Sequence, residues 1–283
     1  MKKVQTIHRG REMHWVGDGF AVQSLFSYQN YSELLSPFLL LDYAEPREFS
    51  PTDKRRGVGK HPHRGFETVT IAYEGEISHK DSTGAGGTIG PGDVQWMTAG
   101  SGVIHEEYHS EDFSKTGGTM EMVQLWVNLP KKDKMTKPGY QGIVRADIPS
   151  VELDNNSTLS VIAGSYEGVE GPAKVHSPIN MWDLILSTGE YEFKIPEGHN
   201  CLILSRSGSV QINDSDILRQ GQVAVFHREG DTVKLEANDN VKLLMLTGEP
   251  LNEPVVGYGP FVMNSDEEIK EAFEDFNNGT FIR

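Results

Sequence analysis

Two short stretches of this chain carry residue types that can bind a transition metal, at spacings a β-strand would exploit. The first is Lys60-His61-Pro62-His63-Arg64-Gly65-Phe66-Glu67. Residues two apart on an extended strand share a face, so His61, His63, Gly65 and Glu67 are expected to point the same way, with Gly65 leaving space for an approaching ligand. The second stretch is Gly100-Ser101-Gly102-Val103-Ile104-His105-Glu106-Glu107-Tyr108, where the same parity puts His105 and Glu107 on one face. Laid side by side, such strands offer three imidazole nitrogens and a carboxylate. That donor set suits iron, manganese, nickel, copper, cobalt or zinc. A lone His-x-His pair would carry little weight, because surface histidines pair by chance; the second stretch makes the pattern specific. Both Glu107 and Glu67 share a face with a histidine, so the spacing alone leaves the carboxylate open. His109 follows the same parity, although a surface position is expected for it. His8, His14, His79, His176, His199 and His227 show no ligand partner at strand spacing, and Trp96 and Trp126 read as core.

The elements that must position these residues are short. Thr68-Val69-Thr70-Ile71-Ala72-Tyr73 and Met122-Val123-Gln124-Leu125-Trp126-Val127 are β-branched or aromatic runs, each closed by turn-forming residues. Most of the chain repeats this style, which predicts an all-β protein. The exception lies near the C-terminus. Ser265 with Glu268 forms a capping box, Ile269, Ala272, Phe273 and Phe276 share one helical face, and Gly279 suits the exit. A short amphipathic helix packed on a sheet is expected there.

The chain also repeats itself. Glu74-Gly75-Glu76-Ile77 is echoed by Ser207-Gly208-Ser209-Val210, and Pro91-Gly92-Asp93-Val94 by Gln220-Gly221-Gln222-Val223. A duplicated β unit of this kind describes a bicupin, two tandem cupin domains, each a double-stranded β-helix or jelly roll. The lysine-rich loop Pro130–Gly139 reads as a solvated connection. The boundary is expected just after it, giving a metal-binding domain over 1–145 and a second domain over 146–283 that ends in the helix. On this alignment His61 and His63 fall opposite Lys194 and Pro196, and His105 opposite Lys234. Proline offers no side-chain donor and lysines repel a cation, so one metal per chain is expected.

Bulk properties narrow the classes further. With 283 residues there is room for two domains, since roughly 100–200 residues make one. A net charge of −15 disfavours direct nucleic-acid binding, which needs a surplus of Lys and Arg. The single cysteine, Cys201, excludes an internal disulfide and fits a reducing compartment. No leader-like segment follows Met1, and no run approaches the roughly 20 apolar residues of a membrane span. A cytoplasmic protein is expected.

The motifs are more particular than the cupin pattern. His61-Pro62-His63-Arg64-Gly65-Phe66-Glu67-Thr68 and Pro91-Gly92-Asp93-Val94-Gln95-Trp96-Met97-Thr98-Ala99-Gly100, running on to His105, resemble the signature stretches of the pirin family, as do Ser36–Asp42 and Tyr258–Asn264. The resemblance spans nearly the whole chain. It implies Fe(II) as the metal, with His61, His63, His105 and Glu107 as ligands and Glu67 in a supporting place, whereas the general cupin pattern would put Glu67 on the metal. It further implies a flavonol-opening dioxygenase of the quercetin 2,3-dioxygenase type, acting as a monomer on a flavonol-like substrate and O2 and releasing CO. Glu107 would be the catalytic base that takes the flavonol 3-hydroxyl proton. The alternative the resemblance implies is an iron-dependent redox-sensing regulator that binds transcription factors or metabolic enzymes without turnover.

Overall fold

The computed structural model describes residues 1–10 and 12–282, with the backbone alone considered over 31–33. The β-branched runs become strands. In chain order these are β1 (Val4–Arg9), β2 (His14–Val16), β3 (Phe20–Ser27), β4 (Phe38–Phe49), β5 (Gly57–His63), β6 (Phe66–Glu74), β7 (Ile77–Asp81), β8 (Gly86–Ile89), β9 (Val94–Thr98), β10 (Val103–His109), β11 (Gly118–Asn128) and β12 (Gly139–Ile143). Strand β6 runs antiparallel to β11, with Val69 opposite Leu125, and its first seven residues are all buried. A seven-stranded sheet has the order β12-β9-β6-β11-β4-β3-β2, and a four-stranded sheet the order β5-β10-β7-β8. Two such antiparallel sheets make a jelly roll.

Later strands repeat the plan. The second seven-stranded sheet runs β1, then Gln222–Phe226, Asn200–Ser207, Val241–Gly248, Ile179–Leu186, Ser157–Ala163 and Ser150–Leu153. Its four-stranded partner runs Gly189–Lys194, Thr232–Ala237, Ser209–Ile212 and Asp216–Arg219. Position by position the order matches the first pair of sheets. One edge differs: the place held by β12 in the first unit is held in the second by β1, from the N-terminus.

The two compact units are therefore assembled from separated segments. One comprises Glu12–Ser32, Phe38–Arg145 and Asn252–Arg283, and the other Met1–Arg11, Glu33–Pro37 and Ala146–Leu251. A cut near 145 follows mid-chain contiguity, but both chain ends lie across it. Ladder hydrogen bonding takes β1 to Gln222–Phe226, and apolar packing takes Phe261, Met263, Ile269, Ala272 and Phe281 to Ile104 of β10. The C-terminal helix (Asp266–Asn278), expected at the end of the second domain, belongs to the histidine-bearing unit. Its capping box between Ser265 and Glu268 is formed, and Gly279 ends it in the left-handed region. Ile269 and Ala272 are buried, whereas Phe276 is 40% exposed, with its ring edge-on to Phe281.

The interiors differ in polarity. In the second unit an apolar core that includes Trp182, Phe193, Ile203, Phe226, Leu235 and Leu243 fills the barrel, and Cys201 lies within it. Lys194 and Lys234 sit outside that core, paired with Glu192 and with Glu190 and Asp214. In the first barrel one apolar cluster is built around Phe20, Val22, Ile77, Phe113 and Met122. Beside it His79, Asp81, Gln95, His105 and Glu107 are buried as a polar group. No helix among the described residues is long and apolar enough to cross a membrane.

Candidate metal centre

Strands β5 and β10 lie side by side and antiparallel, with His105 opposite His61 and Val103 opposite His63. Along β10 burial alternates, so Val103, His105, Glu107 and His109 point inward and Ile104, Glu106 and Tyr108 do not. The register brings the three imidazoles together. Ring centroids are 4.1 Å apart for His61 and His105, 4.8 Å for His61 and His63, and 4.9 Å for His63 and His105. One donor nitrogen from each lies within 4.8 Å of the others. His63 and His105 are buried while His61 is partly exposed, so the cluster meets solvent on the His61 side.

The expected continuous strand from His61 to Glu67 is not formed. Strand β5 ends at His63, and β6 starts at Phe66 in the other sheet. Gly65 makes the crossing at φ 88°, where a side chain's Cβ would lie 2.1 Å from the carbonyl oxygen of Val262. It is there for close backbone approach, not to leave a gap for substrate. Strand parity therefore does not carry from His63 to Glu67. Glu67 accepts a 2.6 Å hydrogen bond from the Thr98 hydroxyl and joins neither candidate metal cluster. The crossing is held firmly. Arg64 donates to the Ser101 carbonyl and to Asp275, and the Lys134 ammonium donates its three hydrogens to Gly65 O, Val262 O and Asn128 Oδ1.

Hydrogen bonding also orients the imidazoles. His61 Nδ1 faces the Gly59 carbonyl at 2.8 Å and His63 Nδ1 the Pro260 carbonyl at 3.4 Å. A carbonyl only accepts, so each Nδ1 carries a proton, which leaves Nε2 as the nitrogen that could face a metal. His105 Nε2 is buried without a hydrogen-bond partner. Buried polar atoms are rarely left so, and a metal ion satisfies an unprotonated one. Burial, then the neighbouring His61, pushes the His63 pKa down to about 3, and the Pro260 carbonyl opposes this only in part. Burial, followed by His63, His61 and His79, also lowers that of His105. Both are neutral at pH 7, as a ligand must be. The donor set fits a transition metal.

Strand parity alone missed part of this group. His79, read as having no partner, is buried on β7 opposite Glu107 and forms a second, overlapping cluster with His105 and Glu107. His79 Nε2 faces Asp81 Oδ2 at 3.2 Å, Gln95 Nε2 lies 3.1 Å from His79 Nδ1, and Tyr140 stacks on the ring. Glu107 Oε1 accepts from Gln95 at 3.0 Å and from Thr70 at 3.5 Å. The His-x-Asp spacing of His79 and Asp81 was the available signal, since it puts both on one strand face. His109, expected at the surface, is only 4% exposed; its Nε2 donates to the Gly19 carbonyl and its ring meets Phe20, Phe49 and Phe113. Trp126 is partly exposed and edge-on to His63.

Two jelly rolls of matching strand order define a bicupin in which one barrel carries two overlapping candidate metal clusters that share His105. The Pirin family model matches residues 19–127 and that of the Pirin C-terminal cupin domain residues 181–282. This chain belongs to the pirin family. A Pseudomonas aeruginosa relative named "Putative quercetin 2,3-dioxygenase" is 59% identical, the match covering 100% of this chain and 99% of that protein. The crystal structure of a quercetin 2,3-dioxygenase from Acinetobacter baumannii superposes with a TM-score of 0.97 at 55% identity, covering 99% of this chain and 98% of that one. A bacterial pirin from Escherichia coli in complex with nickel(II) shares the fold, with a TM-score of 0.65 at 21% identity over 87% of this chain and 100% of that one.

Proposed function

We propose that this chain is a metal-dependent dioxygenase of the quercetin 2,3-dioxygenase type, holding one Fe(II) through His61, His63, His105 and Glu107. The observation that carries the reading is the convergence of three imidazoles, one with a buried, unpartnered Nε2. The full-length likeness to relatives with that name supports it. Iron bound there would supply Lewis acidity and reactivity toward O2.

The chain's own residues supply the rest. Glu107 takes the proton of the flavonol 3-hydroxyl, which makes the substrate an electron-rich enolate. Gln95 and Thr70 hold the carboxylate through Oε1, so the proton acceptor is fixed before substrate arrives. Trp126, beside His63 and Phe66, offers aromatic surface of the kind a flat polyphenol stacks on. Burial of His63 and His105 keeps bulk water from that side of the cluster.

The test is aerobic incubation of the iron-loaded protein with quercetin, following substrate loss and trapped CO together. CO should appear in step with quercetin loss. Tight iron binding with neither change would move the protein to the regulator class.

A further inference from the structure

We infer that His79 is the positioning residue of the centre: its Nδ1 accepts the Nδ1 proton of His105 and so turns the unprotonated Nε2 of His105 toward His61 and His63. The inference rests on the proposal that His105 is a metal ligand, and it adds what makes that imidazole one. His105 differs from the other two histidines, because the neighbour at its Nδ1 is no backbone carbonyl but another imidazole nitrogen, at 3.3 Å. Either ring could be the donor in such a pair. The surrounding groups decide which.

The assignment starts at two carboxylates. Asp81 is fixed in place, since its Oδ1 accepts from the Thr83 amide at 2.8 Å and the Thr83 hydroxyl at 2.6 Å. Its Oδ2 therefore takes the Nε2 proton of His79, at 3.2 Å. On the far side Glu107 Oε1 accepts from Gln95, which requires that the Gln95 amide present nitrogen there and not oxygen. The same nitrogen lies 3.1 Å from His79 Nδ1. A proton on His79 Nδ1 would set donor against donor, so Nδ1 is the acceptor. An unprotonated His105 Nδ1 would set lone pair against lone pair, so the complementary state has the His105 proton on Nδ1, sharing the single His79 Nδ1 lone pair with the Gln95 N–H, and its own lone pair on Nε2, the buried atom with no protein partner. With the proton on Nε2 instead, a buried N–H would be stranded and the ligand lost. Four buried side chains from β7, β9 and β10 therefore encode one tautomer.

The test measures Co(II) affinity by competition with a chelator, using the cobalt visible spectrum as readout, on the full chain. His79→Phe keeps an aromatic ring for Tyr140 to stack on but removes the acceptor. It should weaken binding about 10–100-fold, the usual cost of losing such a supporting partner. His79→Gln, whose amide oxygen restores an acceptor, should recover most of that loss. His105→Ala should abolish tight binding. Wild-type affinity in His79→Phe, with His105→Ala inactive in binding, would overturn the positioning role and leave the ligand set intact. Wild-type affinity in His105→Ala would instead overturn the ligand reading. Equal damage from both His79 variants with a silent His61→Ala would make His79 itself a ligand and contradict both. Imidazole nitrogen NMR of the unsubstituted apoprotein needs no variant to fold. It should show His105 as the Nδ1–H tautomer, and the Nε2–H form would end the proposal.

Discussion

Glu107 lies two residues from His105 on one strand face, with Oε1 held by Gln95 and Thr70. Glu67 begins a different sheet and is bound by Thr98. Replacing Glu107 with Gln should lower flavonol turnover about 10²–10⁴-fold even at saturating iron, since an amide cannot take the hydroxyl proton. It should also weaken iron binding, because an amide oxygen is the poorer donor. Glu67→Gln, measured in parallel for iron content and turnover, should lose less of both; the reverse order would make Glu67 the working acid. At this scale the sequence was informative where two proposed ligands share a strand. His61 with His63, and His105 with Glu107, follow from parity. His79 and Gln95 could not be joined to them that way, because strand pairing across β7, β9 and β10 brings them in from distant positions.

The elements carry their own constraint at the Arg64–Gly65 crossing between sheets. Gly65→Ala would force a side chain into the left-handed region and against the Val262 carbonyl. A loss of more than about 1 kcal/mol is expected, and at about 2–4 °C per kcal/mol it is readable in a melting curve. Iron content should fall with it, because His63 adjoins the turn. Ser265→Ala is the comparison: it removes the helix cap and should cost about 1 kcal/mol while leaving iron content unchanged. Gly65→Ala with normal melting and normal iron would show that the crossing does not position His63. The helix was legible because its capping box and apolar face are local. Its place was not, since packing on Ile104 and the Arg64–Asp275 pair involve residues far apart in sequence. Strand parity failed between His63 and Glu67 for a related reason: a positive-φ glycine ended one strand and nothing in the spacing marked it.

Across the whole molecule, one strand order has been given two interiors. The repeat was legible from its paired glycine turns, but Lys194 and Lys234, aligned opposite the histidines, face outward to surface carboxylates, and Phe193, Val233 and Leu235 fill the inside of those strands instead. The exchange of chain ends was not, because contiguity is a poor guide to which ladder a terminal strand joins. The second barrel fills with Trp182, Phe193, Phe226 and their neighbours, while the first leaves a buried polar group beside its core. The proposed function requires a single iron held by β5 and β10. Anomalous diffraction at the iron edge, from crystals of the iron-loaded full chain, tests it most directly. One peak per chain is expected, within bonding distance of His61, His63 and His105 through Nε2 and of a Glu107 oxygen. A peak bonded to Glu67, one seated among His79, His105 Nδ1 and Glu107, or a second peak in the other barrel would contradict it.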